Sequence, residues 1–426
     1  MRTEAEHSGE NTQLREISVN ELKFGMYVSK LDRPWTETPF VFQGFVLTSV
    51  KQLDVLRKYC KKVFIDIEKA DVSVMDKAIS EQIEQAKKVK PVPRATPEEI
   101  AKVRGTTRYE QVASVEGELP RAKTVLTRLM VVVNELSRAV QVGNAIDSTR
   151  SKEAAAQVTD SVVRNPDAMA LLIRLQERSG GILSRAVEIS TIMTIFGRFL
   201  QFPKDRLEIL SMLGLLQDVG KLKLPTELAV RGPTSDAEIE LYRTHVNHSV
   251  EMINSAHGLP GELSGLASLH HEHFDGSGYP RALRGDAIAL FGHIAGIVDS
   301  FDRLTAPPPF GEFMTVGNAL SALFKGRGVF FHPALVEQFI QCMGPYPVGS
   351  VVELNSGEIA VVYAQNMRRR LQPRVMVVED AEGNPLVPYK MLDLMKEPKV
   401  RHNEPYRIAR TLEYDIVKLD PREFFL

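Results

Sequence analysis

The spacing of hydrophobic positions changes twice along the chain. Between Ile17 and Ile65 they come in short bursts: Ile17, Val19 and Leu22, then Met26 to Val28, Phe40 to Phe42, Val46-Leu47, and Val63 to Ile65. One helical interval, Val50 to Tyr59, carries Leu53, Val55 and Leu56. Short β-like runs around a single helix predict a small α+β module. From Met75 to Lys90 the chain is polar, and Pro91, Pro93 and Pro97 amid charge mark a linker. Past Pro120 the period becomes helical, with Val125, Leu126, Leu129, Met130, Val133, Leu136 and Val140 on one face. Asn165-Pro166 reads as a cap and first-turn proline. Further helices are expected over Ile182 to Leu200 and Arg206 to Val219. After Met343 strands return: Val348 to Leu354 and Ile359 to Tyr363 flank the hairpin signal Asn355-Ser356-Gly357, and Arg374 to Val378 adds another. The expected fold class is mainly α. A multi-helix domain (119–343) lies between a small α+β N-terminal module (14–88) and a β-rich C-terminal extension (344–426), with a disordered start (1–13) and a linker (89–118).

Composition narrows the function classes. Apolar (43%) and charged (25%) fractions are those of a soluble globular protein. A formal net charge of −1 supplies no whole-molecule basic field for nucleic acid or acidic lipid. The short basic run Lys87, Lys88, Lys90 and Arg94 reads as a solvated face, and Trp35 as a local core anchor. Two cysteines, Cys60 and Cys342, suit a reducing compartment. The polar N-terminus lacks a signal core, and no apolar run approaches the roughly 20 residues that span a bilayer. A cytoplasmic protein without membrane insertion is expected.

Chemistry concentrates in His270 to Pro280, HHEHFDGSGYP. Adjacent histidines project about 100° apart on a helix and can border one cavity. Imidazole suits transition ions, while Glu272 and Asp275 add oxygen donors. Gly276 and Gly278 permit a tight reversal, and Pro280 fixes its exit.

This stretch resembles the signature of the HD-GYP family, a branch of the HD phosphohydrolases that hydrolyses cyclic di-GMP in bacteria. The string LKFGMYVSKLDRPWTETPFVFQGFVL resembles the small domain that often precedes HD-GYP domains, and the β-rich tail is similar to one that some of those proteins carry. The resemblance implies a divalent metal, iron or manganese, held by Asp218, His245, His270, His271 and Asp299. It implies a substrate-side acid at Asp302 and a surviving phosphate-facing charge at Lys221. It also implies an exposed Gly278-Tyr279-Pro280 loop that docks diguanylate cyclase-type domains, and cyclic di-GMP as ligand.

Several positions depart from the family pattern. Gln217 stands where the motif has the histidine preceding Asp218, and Leu183 where an earlier helix supplies another. No histidine lies between His7 and His245, so no shift of register restores either. Pro308 and Gly311 replace positively charged phosphate contacts, and His293 replaces an arginine. Phosphodiester hydrolysis draws on two ions about 3.5–4 Å apart that activate water and clamp both oxygens. With two imidazoles missing, one ion is expected. Cyclic di-GMP hydrolysis is then weakened or lost and the role becomes regulatory; the alternative is an active phosphodiesterase with an atypical metal site.

Overall fold

A computed structural model of the chain describes residues 14–19, 22, 27–33, 45–47, 50–66, 94–175, 182–306, 314–366, 368–401 and 404–412. The chain divides into two compact units, Met1–Glu81 and Gln82–Leu426.

The first unit holds β1 (Leu14–Ser18), β2 (Tyr27–Leu31), β3 (Phe45–Val46), α1 (Val50–Tyr59) and β4 (Lys62–Asp66). The strands form an antiparallel sheet in the order β1-β4-β2-β3. Val28, Leu31, Leu56 and Val63 make its small core. Asp32 Oδ2 accepts from the backbone N–H groups of Lys61 and Lys62 at 2.8 and 3.0 Å, which pins the entry to β4. Phe40 to Phe42 and Trp35 lie outside the described residues.

The second unit begins inside the stretch expected as a linker. There α2 (Pro97–Lys102) is closed by a capping box between Thr96 and Glu99. Gly105 N and Thr107 N then donate to Leu200 O and Gln201 O. From about residue 95 onward, therefore, this chain is tied to the helices rather than free, a correction to the reading from its prolines. The helices that follow are α3 (Val115–Gln141), α4 (Ser148–Arg164), α5 (Pro166–Leu175), α6 (Ile182–Phe199), α7 (Lys204–Leu216), α8 (Thr226–Arg231), α9 (Asp236–Ser255), α10 (Leu263–Ala267), α11 (Leu290–Thr305), α12 (Val316–Lys325) and α13 (Pro333–Met343). On α3 the predicted stripe is the buried one, with Leu126, Leu129, Val133, Leu136 and Val140 in the core. Asn165 Oδ1 accepts from Asp167 N at 2.9 Å, the cap expected ahead of Pro166. α11 runs through the centre and is buried continuously from Phe291 to Asp299. Its polar side chains must therefore find partners inside the protein.

The C-terminal strands are β5 (Val351–Leu354), β6 (Ile359–Ala364), β7 (Arg374–Glu379), β8 (Pro385–Asp393), β9 (Lys399–Arg401), β10 (Glu404–Pro405) and β11 (Ile408–Thr411). Five of them form an antiparallel sheet in the order β11-β5-β6-β7-β8. Alternation splits its residues between two cores. Val351, Val361, Tyr363, Met376 and Val378 pack on the helices, while Val352, Val362, Val375 and Val377 form a second cluster on the other face. The architecture is mainly α with a β-rich C-terminal extension. Among the described residues no helix is long and apolar enough to cross a membrane.

Candidate metal centre

α7 carries its apolar residues into the core, so Asp218, two residues past its end, is delivered buried. The chain then tightens into a 3-10 turn, Val219–Lys223. Gly220 lets that turn lie against α9. A Cβ there would stand 2.0 Å from His245 O and 2.5 Å from Ser249 N, closer than any side chain tolerates. His245 on α9 and the His270-His271 pair after α10 complete the arrangement. One ligand atom from each of Asp218, His245, His270 and His271 lies within 4.8 Å of the others.

Backbone carbonyls orient two of the rings. His245 Nδ1 meets Tyr242 O at 2.5 Å and His270 Nδ1 meets Ala267 O at 2.7 Å. An Nδ1–H donated to a carbonyl leaves Nε2 as a lone pair, the form a metal requires. His245 Nε2 and His270 Nε2 each stand 3.4 Å from Asp218 Oδ1. These three atoms and His271 Nε2 are buried without a hydrogen-bond partner among the described residues. Four inward-facing acceptors with no donor between them are costly to bury. A divalent cation satisfies all four, and three imidazoles with one carboxylate suit a first-row transition ion. The residues present fit one ion.

The electrostatics agree. Burial pushes the Asp218 carboxyl up, but the Lys221 ammonium, with help from His245 and His270, outweighs it and holds the group well below the usual carboxylate range. Lys221 Nζ donates to Asp218 Oδ2 at 2.7 Å. Burial, then the neighbouring His270 and His245, keep His271 well below its ordinary value, hence neutral.

A second cluster adjoins the first. Arg185 projects from α6, its Nε donating to Asp302 Oδ2 at 2.7 Å and its Nη2 lying 3.5 Å from Asp299 Oδ1. Burial works against its charge, but Asp302, Asp299 and Asp218 more than offset this and keep the guanidinium protonated.

The comparisons with known proteins bear on this geometry. Residues 14–150 match the domain of unknown function DUF3391, residues 169–335 the HD domain, and residues 351–401 the KOW domain associated with HD domain. The chain is 29% identical over 384 residues to cyclic di-GMP phosphodiesterase PA4108 of Pseudomonas aeruginosa, covering 89% of each. The chain belongs to the HD-GYP family. This HD-GYP protein is also 28% identical over 181 residues to the cyclic di-GMP phosphodiesterase response regulator RpfG of Xanthomonas campestris, spanning 42% of the chain and about half (48%) of that relative. It is 36% identical over 128 residues to 3'3'-cGAMP-specific phosphodiesterase 2 of Vibrio cholerae, which is 30% of the chain and 24% of that relative.

Of the residues expected at the HD-GYP metal site, four are brought together: Asp218, His245, His270 and His271. Asp299 is not among them and is held by Arg185 instead. Gln217 is fully buried beside Asp218 in sequence, and neither atom of its amide has a hydrogen-bond partner among the described residues. Glu272 and Asp275, read from the sequence as oxygen donors, have other tasks. Glu272 accepts from Arg281 N and Leu283 N, each at 2.8 Å, and Asp275 Oδ1 accepts from Ser277 N at 2.9 Å. Both fix the loop because its backbone N–H groups need acceptors. The ring of Tyr279 does not project freely as a docking anchor. It stacks on His271 with centroids 4.7 Å apart and planes inclined by 23°, under the Arg243 guanidinium at 5.1 Å. Gly278 makes this fold-back feasible, since a Cβ would lie 2.3–2.6 Å from backbone atoms of His271, Glu272 and His273. Ser277 and Pro280 are the exposed residues of the loop. His293 faces Gly285 O through Nε2 at 3.2 Å and packs beside His332, away from the cluster. The side chain of Leu183 and all of Pro308 and Gly311 lie outside the described residues. Sequence reasoning missed Arg185, although a cation two residues after Leu183, in the first turn of a helix with a largely apolar sequence, was a usable signal.

Proposed function

We propose that this HD-GYP protein holds a single divalent ion, iron or manganese, at Asp218, His245, His270 and His271. Its ligand is cyclic di-GMP, and it hydrolyses that ligand slowly or not at all, acting chiefly as a regulatory member of cyclic di-GMP signalling. The observation that carries this reading is the Arg185 guanidinium against Asp299 and Asp302. A cation built into the chain already faces both carboxylates and offsets one of their two charges, and Gln217 and Leu183 stand where the resemblance implies the two histidines of a neighbouring site.

An ion bound at the four ligands supplies a Lewis acid for a phosphoryl oxygen. The side chains do the rest. Lys221 stays charged, and its ammonium, held on Asp218 Oδ2, is a point charge beside the cluster that favours a phosphate there. Asp218 keeps one oxygen on Lys221 and the other toward the histidines. Tyr279 covers one face of His271 and limits water there. The exposed Ser277 and Pro280 leave part of the loop for a partner, with diguanylate cyclase-type domains as the class the family resemblance implies.

A working phosphodiesterase is the competing reading, supported by the name of the Pseudomonas aeruginosa relative that matches nearly the whole chain. Elemental analysis of the purified chain, with cyclic di-GMP turnover followed by chromatography, separates the two. About one ion per chain with turnover far below that of PA4108 assayed alongside is the expected result. Two ions per chain with comparable turnover overturns it.

A further inference from the structure

The chain from Phe291 to Ala306 is buried except at two positions, Ser300 and Arg303. They lie three residues apart, hence on one side of α11, and Arg303 follows Asp299 by four residues, about 6 Å further along that side. The helix therefore meets an opening next to the contact between Arg185 and Asp299. Two side chains of the loop share this place. Burial raises the Tyr279 hydroxyl well above its ordinary value, and the Arg303 charge pulls against that. Burial pushes His273 down to about 4, with Asp275 opposing and the same guanidinium adding to the fall. Both groups thus stand within electrostatic reach of Arg303, and Tyr279 in turn stacks on His271 of the metal cluster.

Among the described residues no carboxylate or carbonyl pairs with Arg303, and its Nε is buried without a hydrogen-bond partner. The neighbouring arginines differ. Arg185 is on Asp302, Arg243 is on Glu240 at 3.0 Å, and Arg284 Nε donates to Asp275 O at 2.8 Å. A buried N–H of a charged group is costly to leave without an acceptor. The edge formed by Nε and one Nη is also the edge with which a guanidinium grips two oxygens of a phosphate.

The balance of charge points to what Arg303 takes. In the two clusters three carboxylates, Asp218, Asp299 and Asp302, face two cations, Lys221 and Arg185. A divalent ion at the histidines brings that balance to one positive charge, whereas a cyclic dinucleotide has two phosphodiesters and two negative charges. Arg303 supplies the remaining cation, on the same side of α11 as Asp299. We propose that Arg303 grips a phosphodiester of the bound cyclic dinucleotide and is a binding residue of this site. The proposal rests on cyclic di-GMP being the ligand, as read above.

The test is calorimetric titration of the manganese-loaded full chain with cyclic di-GMP, for the wild type, Arg303→Gln, Arg303→Lys and Arg281→Gln. Arg303→Gln should weaken binding at least tenfold. Arg303→Lys, which keeps the charge but loses the fork, should weaken it at least threefold and decides the matter if Arg303→Gln does not fold. Arg281 is an exposed cation of the neighbouring loop, so Arg281→Gln removes the same charge and should leave the affinity within twofold. Affinity that survives Arg303→Gln, or survives Arg303→Lys where only that variant folds, overturns the proposal alone. So does an equal loss in Arg281→Gln, which would assign the effect to the general field of the surface. A wild type that does not bind cyclic di-GMP at millimolar concentration overturns the choice of ligand, and the proposal with it.

Discussion

Arg185 Nε lies 2.7 Å from Asp302 Oδ2, and both side chains are largely withdrawn from solvent. An ion pair in such surroundings is held by mutual need, since removing one partner strands a buried charge at a cost of about 3–5 kcal/mol. Arg185→Met should therefore lower the urea midpoint substantially, by stranding Asp302 and Asp299 together. Added manganese should restore part of that loss in Arg185→Met and do little for the wild type. Equal responses to manganese in both proteins would show that the guanidinium does not stand in for a cation.

Lys221 makes a comparable pair with Asp218, but here a bound ion shares the work. In EDTA, Lys221→Met should cost about 3–5 kcal/mol, because the carboxylate loses its nearest positive charge. With a divalent ion bound the cost should shrink, as the ion neutralises the same group. Denaturation curves of both proteins with and without metal measure the difference. A cost that ignores metal would place the ion away from Asp218.

Gly278→Ala adds one methyl group where backbone atoms of three residues leave no room. The loop must shift, at a cost of about 1–3 kcal/mol, and Tyr279 should lose its stacking on His271. Lower thermal stability and reduced metal content are expected together. Normal metal content in a destabilised variant would separate the loop from the cluster.

His293 gives the fold a pH dependence on its acidic side. Burial, with the neighbouring His332, pushes its pKa down to about 4, and Asp286 and the Gly285 carbonyl only partly oppose this. The unfolded chain, with an ordinary value near 6.5, takes up the proton first as pH falls. The stability contributed by the neutral folded ring is complete above about 6.5 and is lost between there and about 4, on the order of 3 kcal/mol. His293→Phe should flatten the wild-type decline in unfolding free energy between pH 7 and pH 4.5. A slope unchanged by the substitution would assign that decline to other groups.

Much of this protein was legible in its order of residues. The helical stripe of Leu126, Leu129, Val133 and Leu136, the Asn165-Pro166 cap, and the valine-rich runs on either side of Asn355-Ser356-Gly357 indicated element types, because local period, capping and turn chemistry act over a few residues. HHEHFDGSGYP marked the site, since so many ligands and turn formers rarely share one stretch. Against the motif that the stretch resembles, Gln217 and Leu183 stand where two histidines are expected. Tertiary structure alone decided which side chains meet around the cluster. Arg185 reaches Asp302 and Asp299 across more than a hundred residues of chain, and Tyr279 folds back on His271 because Gly278 lets the backbone close. Glu272 serves the loop and not a metal for the same reason. Ligand type is a property of a side chain, whereas which charges meet depends on how helices distant in sequence cross, and no local pattern records that.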